Sequence, residues 1–274
     1  MKKLLMYIGL AILMAFTLAP FLSTLTTSFS TNQDIISGAN RFFPRHITFA
    51  NFEKAIMGQS ALSGFVSSMF NSLTVAAVTT FFCLLFGALG AYAFARLNFR
   101  FRDSFMLLVL ITQMIPGIAI LIPIYVIFRQ MGFLDTKTSI MLAQMAFNLP
   151  FIIWIMRSFF YSIPKDLEEA AFIDGLGRFG ALFRIIMPIS TPGLFATGVF
   201  AFMNSWNDFL TPLVLTSSQH AKTMPVAINE FLGRFTVDYG LLAAAGFIGI
   251  IPPILIILFF QRYLIEGLTA GAVK

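Results

Sequence analysis

Cysteine, histidine and charge are all scarce in this chain. The single cysteine, Cys83, stands inside an apolar run, which excludes a disulfide-built secreted fold and a cysteine-based metal cluster. His46 and His220 lie far apart with no metal-ligand spacing around them. No G-x-x-x-x-G-K-[ST] run occurs, so the chain does not hydrolyse ATP by that route. Gly87 and Gly90 fall in an apolar stretch that cannot cradle phosphate, and no nucleophile has an obvious base and orienting group beside it. No catalytic residue is assigned. Charged residues make up 11% of the 274, where a soluble domain carries about 25%. The net charge of +6 is scattered between long apolar segments rather than massed in one stretch, which argues against nucleic acid.

What is abundant is apolar bulk, 58% of the residues including 34 Phe. Six stretches carry no charge at all: Lys3 to Asp34, Lys54 to Arg96, Asp103 to Arg129, Lys137 to Arg157, Arg184 to Asp208 and Asp238 to Arg262. A membrane-spanning helix needs about 20 mainly apolar residues. Spans are expected near 4–27, 69–94, 104–128, 138–157, 190–214 and 239–260. The runs are apolar on every face, unlike the alternating strands of a barrel, so the fold class is all-α, a polytopic membrane protein. With the amino terminus inside, 11 of the 18 cations fall on the inner segments, which predicts both termini in the cytoplasm. Residues 1–25 read as an uncleaved first span, because the apolar stretch is long for a signal peptide and no small-residue cleavage site follows it. The segment 34–65 reads as an outer loop with a short helix near Asn51–Met57. Residues 1–274 are expected to form one transmembrane domain.

The inner segment 162–188 is not linker-like. Pro164 suits a first helical position, and Asp166, Glu168 and Glu169 suit the positive end of a short helix. Gly175 suits the left-handed residue that ends it. Leu167, Ala170, Ala171 and Asp174 fall on one side, where the small alanines allow close approach. After a turn within 176–180, a second helical run from Ala181 to Met187 leads to Pro188. By its physics such a helix either docks a soluble partner or lies on the lipid surface.

Glu169-Ala170-Ala171, then Gly175, then Ile185, Met187 and Pro188 resemble the Glu-Ala-Ala loop of permease subunits of binding-protein-dependent ABC importers. The departure is Met187 where the pattern has Leu. The stretches 87–102, 114–125 and 150–178, the run Trp206–Phe209 and the tail 261–274 resemble the carbohydrate-uptake, MalG-type branch of that family. The resemblance implies a type I ABC importer permease fold. It implies that the 162–188 helix is a coupling helix seated in a cytoplasmic ATPase, with Glu169 as polar anchor, Ala170 and Ala171 as close-packing face and Gly175 as turn. It further implies a second, MalF-like permease, two ATPase copies that hold ATP and Mg, an extracytoplasmic solute-binding protein, a sugar substrate and membrane lipid. This chain itself would bind no cofactor. The solute class is a disaccharide, an oligosaccharide or a polyol, with glycerol phosphate as a related option. The tail from Glu266 to Lys274 either reaches the ATPase interface or is a solvated end.

Prolines mark the spans. Pro116 and Gly117 interrupt the third, Pro123 follows two turns on, and Pro150, Pro188, Pro192, Pro212, Pro252 and Pro253 mark or bend others. In the fifth, Thr197, Asn204, Asp208 and Thr211 are expected to share one helix face, with Asn207 beside them. A carboxylate facing lipid costs a few kcal/mol, so Asp208 faces protein or a water-filled cavity. Asn204, Asn207 and Asp208 are therefore candidate pathway or subunit-contact residues. The competing reading of the whole chain is a secondary transporter or channel that works without ATP. It would more often show inverted repeats or a mid-membrane coupling charge, and the sequence has neither.

Overall fold

The computed structural model describes residues 2–38, 43–57, 64–232 and 237–270, with side chains through Glu266. The described residues contain helices and no strand; Ser30 and Ile47 form one isolated antiparallel bridge. In chain order the helices are α1 (Lys2–Ser28), α2 (Asn32–Ile36), α3 (Ala50–Met57), α4 (Phe65–Arg96), α5 (Arg102–Thr112), α6 (Gly117–Gln130) and α7 (Lys137–Ser162). They continue with α8 (Asp166–Ile173), α9 (Arg178–Ala181), a π-helical turn (Leu182–Ile186), α10 (Met187–Ile189), α11 (Thr191–Asn207), α12 (Leu210–Leu215), α13 (Met224–Glu230) and α14 (Tyr239–Ala270).

Four helices, α1, α4, α7 and α14, are long and apolar enough to cross a membrane alone. The other two expected spans are bent pairs. α5 and α6 meet at 92°, and the run Arg178–Ile189 meets α11 at 82°, so the count is six if each pair is one span. The break in the third span falls where Pro116 caps α6, whereas Pro123 sits inside α6 without stopping it. The fifth span does not run unbroken from 190 to 214 as expected. It turns at Ser190, its helix ends at Asn207, and Asp208 is extended (φ −68°, ψ 117°) before α12 begins.

The chain divides into two compact units. One comprises residues 1–69 and 224–252. In it α1 is apolar all round and buries only Ser28. Buried Asn51 on α3 ties down the end of that helix, donating to the Ser28 and Ser30 carbonyls at 2.9 and 2.8 Å. The short helix expected near Asn51–Met57 is α3. Asp34 on α2 takes the ring Nδ1 of His46 at 3.0 Å.

The other unit comprises residues 70–223 and 253–274; residues 271–274 of the tail lie outside those described. Its core is α4 against α7, the π turn and α11, through Cys83, Tyr92, Ile152, Met156, Phe160 and Ile186. Small residues set how near these helices come. A β-carbon on Gly87 would lie 2.5 Å from Ile152 Cγ2, and one on Gly193 would lie 2.5 Å from the Phe159 ring. The loop 162–188 belongs to this unit and leaves the end of α7 beside the end of α4.

Candidate functional site

Two regions of the second unit collect its polar chemistry. The first is α8. Pro164 disfavours helix at the residue before it, and Ile163 is extended (φ −77°, ψ 129°), so α7 stops there. Pro164 therefore precedes the cap rather than opening the new helix as expected. Lys165 is the cap, and its carbonyl takes the Glu168 and Glu169 N–H groups at 2.9 and 3.0 Å. Asp166, Glu168 and Glu169 fill the first turn, where the helix dipole favours anions. At the other end Gly175 has φ +84°. Its N–H reaches the Phe172 carbonyl at 3.1 Å and the Leu176 N–H reaches the Ala171 carbonyl at 2.9 Å, a Schellman turn.

One residue locks this helix to α4. The Glu168 carboxylate is buried, with Oε2 2.9 Å from Arg96 Nε, and it accepts the Tyr92 hydroxyl on Oε1. Arg96 also donates through Nη2 to the Ile163 carbonyl at 2.7 Å. Glu169 points outward and is exposed. The alanine pair does not form one outer face: Ala171 is 3% exposed and packs inward, while Ala170 is exposed with Leu167, Ile173 and Asp174. The helical period explains the split, since Ala171 follows buried Glu168 by three residues. The sequence placed Glu168 only at the positive end of this helix and Arg96 only at the end of a span, and their pairing with each other and with Tyr92 was not foreseen. The available signal was a lone arginine closing a long uncharged span.

The second region lies between α7, the α5–α6 break and the α11–α12 junction. Asp208 ends α11, so it does not share a continuous helix face with Thr197 and Asn204 as expected. It is joined to Thr211 in another way, accepting the Thr211 N–H on Oδ1 at 3.1 Å and so capping α12. Its Oδ2 takes Gln144 Nε2 at 2.9 Å. Gln144 Oε1 accepts the Ser205 hydroxyl. Asn148 donates to the Gln144 carbonyl at 2.9 Å and receives Asn204 Nδ2 on its Oδ1 at 3.1 Å. Thr197 is buried and turns back on the Gly193 carbonyl at 2.7 Å, away from this set. An open cavity of about 720 Å³ lies here, and Asn204, Asn207 and Asp208 all line it. Gln144 and Asn148, four apart in an otherwise apolar span, were the missed sign of it.

Residues 84–269 match the family described as the inner membrane component of binding-protein-dependent transport systems. The chain is 36% identical over 272 residues to the sulfoquinovosyl glycerol transport system permease protein SmoH of Agrobacterium fabrum, covering 99% of this chain and 94% of that one. It is 31% identical over 275 residues to the trehalose/maltose transport system permease protein MalG of Thermococcus litoralis, covering 100% and 98%. A bacterial ABC transporter structure involved in import of the acidic polysaccharide alginate aligns with TM-score 0.81 at 23% identity over 96% of each chain, a likeness of fold. The capped α8, the broken spans and these matches have one reading: the chain belongs to the inner membrane components of binding-protein-dependent transport systems, and it resembles the MalG-type sugar permeases among them.

Proposed function

We propose that this chain is a permease subunit of an ATP-driven importer that moves a sugar (a disaccharide, an oligosaccharide or a related polyol) across the cytoplasmic membrane by alternating access. The observation that carries this reading is α8. It carries three acidic residues in its first turn, closes in a Schellman turn at Gly175, is pinned by the buried Arg96–Glu168 pair, and presents exposed Leu167, Glu169, Ala170 and Ile173. A rigid helix with a small apolar outer face suits seating in a partner's cleft better than lying on lipid. In this reading the partner is one of two cytoplasmic ATPase subunits, which hold ATP and Mg. Glu169, Ala170 and Gly175 then serve the contact, and Ala171 serves the packing behind it. A second, MalF-like permease completes the path, an external binding protein delivers the sugar, and both termini lie in the cytoplasm. Trehalose/maltose and sulfoquinovosyl glycerol permeases among the relatives support a carbohydrate solute.

The test is purification of the chain from its native membrane in gentle detergent, with mass spectrometry of what accompanies it. Recovery of a related permease and an ATPase is expected, with Ala170→Cys forming a cross-link to the ATPase. The exposed Ala170 is the proper site for that probe, because Ala171 faces inward. A chain that emerges alone and uncross-linked overturns the reading in favour of ATP-independent transport.

A further inference from the structure

Very little apolar packing attaches α8 to its own chain. Of its eight residues only Glu168 and Ala171 are buried, and the rest are exposed. One alanine methyl contributes little burial, and a cavity of about 150 Å³ lies beside Tyr92, Arg96, Glu168 and Phe172, so that side is not filled. The hold on α8 is therefore mainly ionic. Arg96 supplies it, and its contacts fall on both sides of one joint. Nη2 donates to the carbonyl of Ile163, which ends α7, while Nε faces the Glu168 carboxylate on α8 at 2.9 Å. Pro164 stands between the two helices with no N–H, so no helix ladder stiffens the joint. Tyr92, about one turn earlier on α4, donates its hydroxyl to the other carboxylate oxygen.

Resting on the reading of α8 as the ATPase-docking helix, we infer that Arg96 and Tyr92 are positioning residues for coupling. They bracket the α7–α8 joint to the end of α4, so that a displacement imposed on α8 moves α4 and α7 with it instead of being lost in the joint. A planar guanidinium suits this task because its fork holds two acceptors in a fixed geometry. Apolar burial is non-directional and would let α8 slide. α4 is in turn packed closely on α7: a β-carbon on Gly87 would lie 2.5 Å from Ile152, and one on Gly90 would lie 3.0 Å from Ile153. Interiors packed at this closeness pass a displacement on rather than absorb it. A stabilising ion pair and a coupling bracket make different demands. Stability needs no charge left unmet, whereas coupling needs both acceptors held at once. Lysine keeps a counter-charge for Glu168 but offers a single nitrogen on a flexible stem.

The test uses the whole complex in proteoliposomes with its binding protein loaded with radiolabelled trehalose, maltose or diacetylchitobiose, whichever wild type takes up. Uptake and ATP hydrolysis are read on the same sample. In Arg96→Lys the complex should assemble, hydrolysis should stay within about twofold of wild type, and ATP hydrolysed per sugar should rise about threefold or more, within the range over which single changes act on a coupling element. Tyr92→Phe, which removes only the hydroxyl, should move the ratio the same way by less. Arg96→Met with Glu168→Leu separates the two roles, since an apolar pair should restore thermal stability and leave the ratio raised. A wild-type ratio in Arg96→Lys, a parallel fall of uptake and hydrolysis, or a wild-type ratio in the apolar double variant would each overturn the inference. If Arg96→Lys does not assemble, Tyr92→Phe decides, and an unchanged ratio there overturns it. Those results leave the permease reading standing where the ATPase still copurifies; a chain that purifies alone overturns both.

Discussion

A charge inside a helix bundle is tolerable only where an opposite charge and hydrogen bonds meet it. Arg96 and Glu168 satisfy that condition, with side chains 4% and 7% exposed. Arg96→Met leaves the Glu168 carboxylate buried with the Tyr92 hydroxyl but no counter-charge, a loss on the order of 3–5 kcal/mol. Thermal unfolding of the purified complex should drop accordingly, and Arg96→Met with Glu168→Gln should recover part of the loss. An Arg96→Met variant as stable as wild type contradicts the pairing. Asp135 acts outside the spans. It sits at φ +59° and accepts the Ser217 and Ser218 N–H groups, each at 2.9 Å. Those two bonds, Ser218's foremost, hold its carboxyl down from 3.8 to about 2. Because the folded value lies below the unfolded one, this clasp is at full strength above about pH 4 and is lost as pH falls toward about 2. Melting temperatures between those limits should therefore fall less steeply in Asp135→Asn than in wild type.

At the scale of elements, α8 and the α4–α7 crossing make opposite demands on glycine. Nothing lies within 4 Å of a β-carbon placed on Gly175, but its φ is +84°. Bulk is therefore not the difficulty there; backbone conformation is, at about 1–2 kcal/mol for a non-glycine residue. Gly175→Val should loosen the end of α8 and lower substrate-stimulated ATP hydrolysis in the complex, with Gly175→Asn much milder because Asn tolerates this region. Normal coupling in Gly175→Val removes the turn from the account. Gly87 has the reverse character, since Ile152 Cγ2 stands 2.5 Å from its would-be β-carbon. Gly87→Leu overpacks the crossing by about 1–3 kcal/mol. The yield of monodisperse chain in mild detergent should fall, and Ile152→Ala should restore some of it. The elements that composition could locate were those with local signals: charge gaps for the spans, acidic and glycine ends for α8. The bends were harder. Pro116 marks a place to break but not a 92° angle, and Pro188 and Pro192 flank Ser190 without specifying the 82° turn there.

For the whole molecule, family membership was legible because its motifs are contiguous, whereas the site was legible only in part. Asn204, Asn207 and Asp208 were found through their polarity in an apolar run and do meet in one cavity. Gln144 and Asn148 come from a span 56 or more residues away in sequence, and only packing brings them there. Glu168 was outranked by Glu169 because a motif names residues without saying which way they face.

The α5–α6 break has a consequence for water. At 1.5 Å per residue, arms of 11 and 14 residues reach about 17 and 21 Å, each short of a hydrocarbon layer about 30 Å thick. Neither arm is long enough to cross alone, so if the pair is one span the joint between them falls within the layer, and Pro116 there has no N–H with which to continue a helix ladder. Acyl chains cannot hydrogen-bond the carbonyls such a joint releases; only protein or solvent can. The joint's own Gln113, Ile115 and Gly117 line the cavity. The carbonyls of such a joint are therefore met by protein groups or by water in that space, a demand that no straight span of the bundle makes.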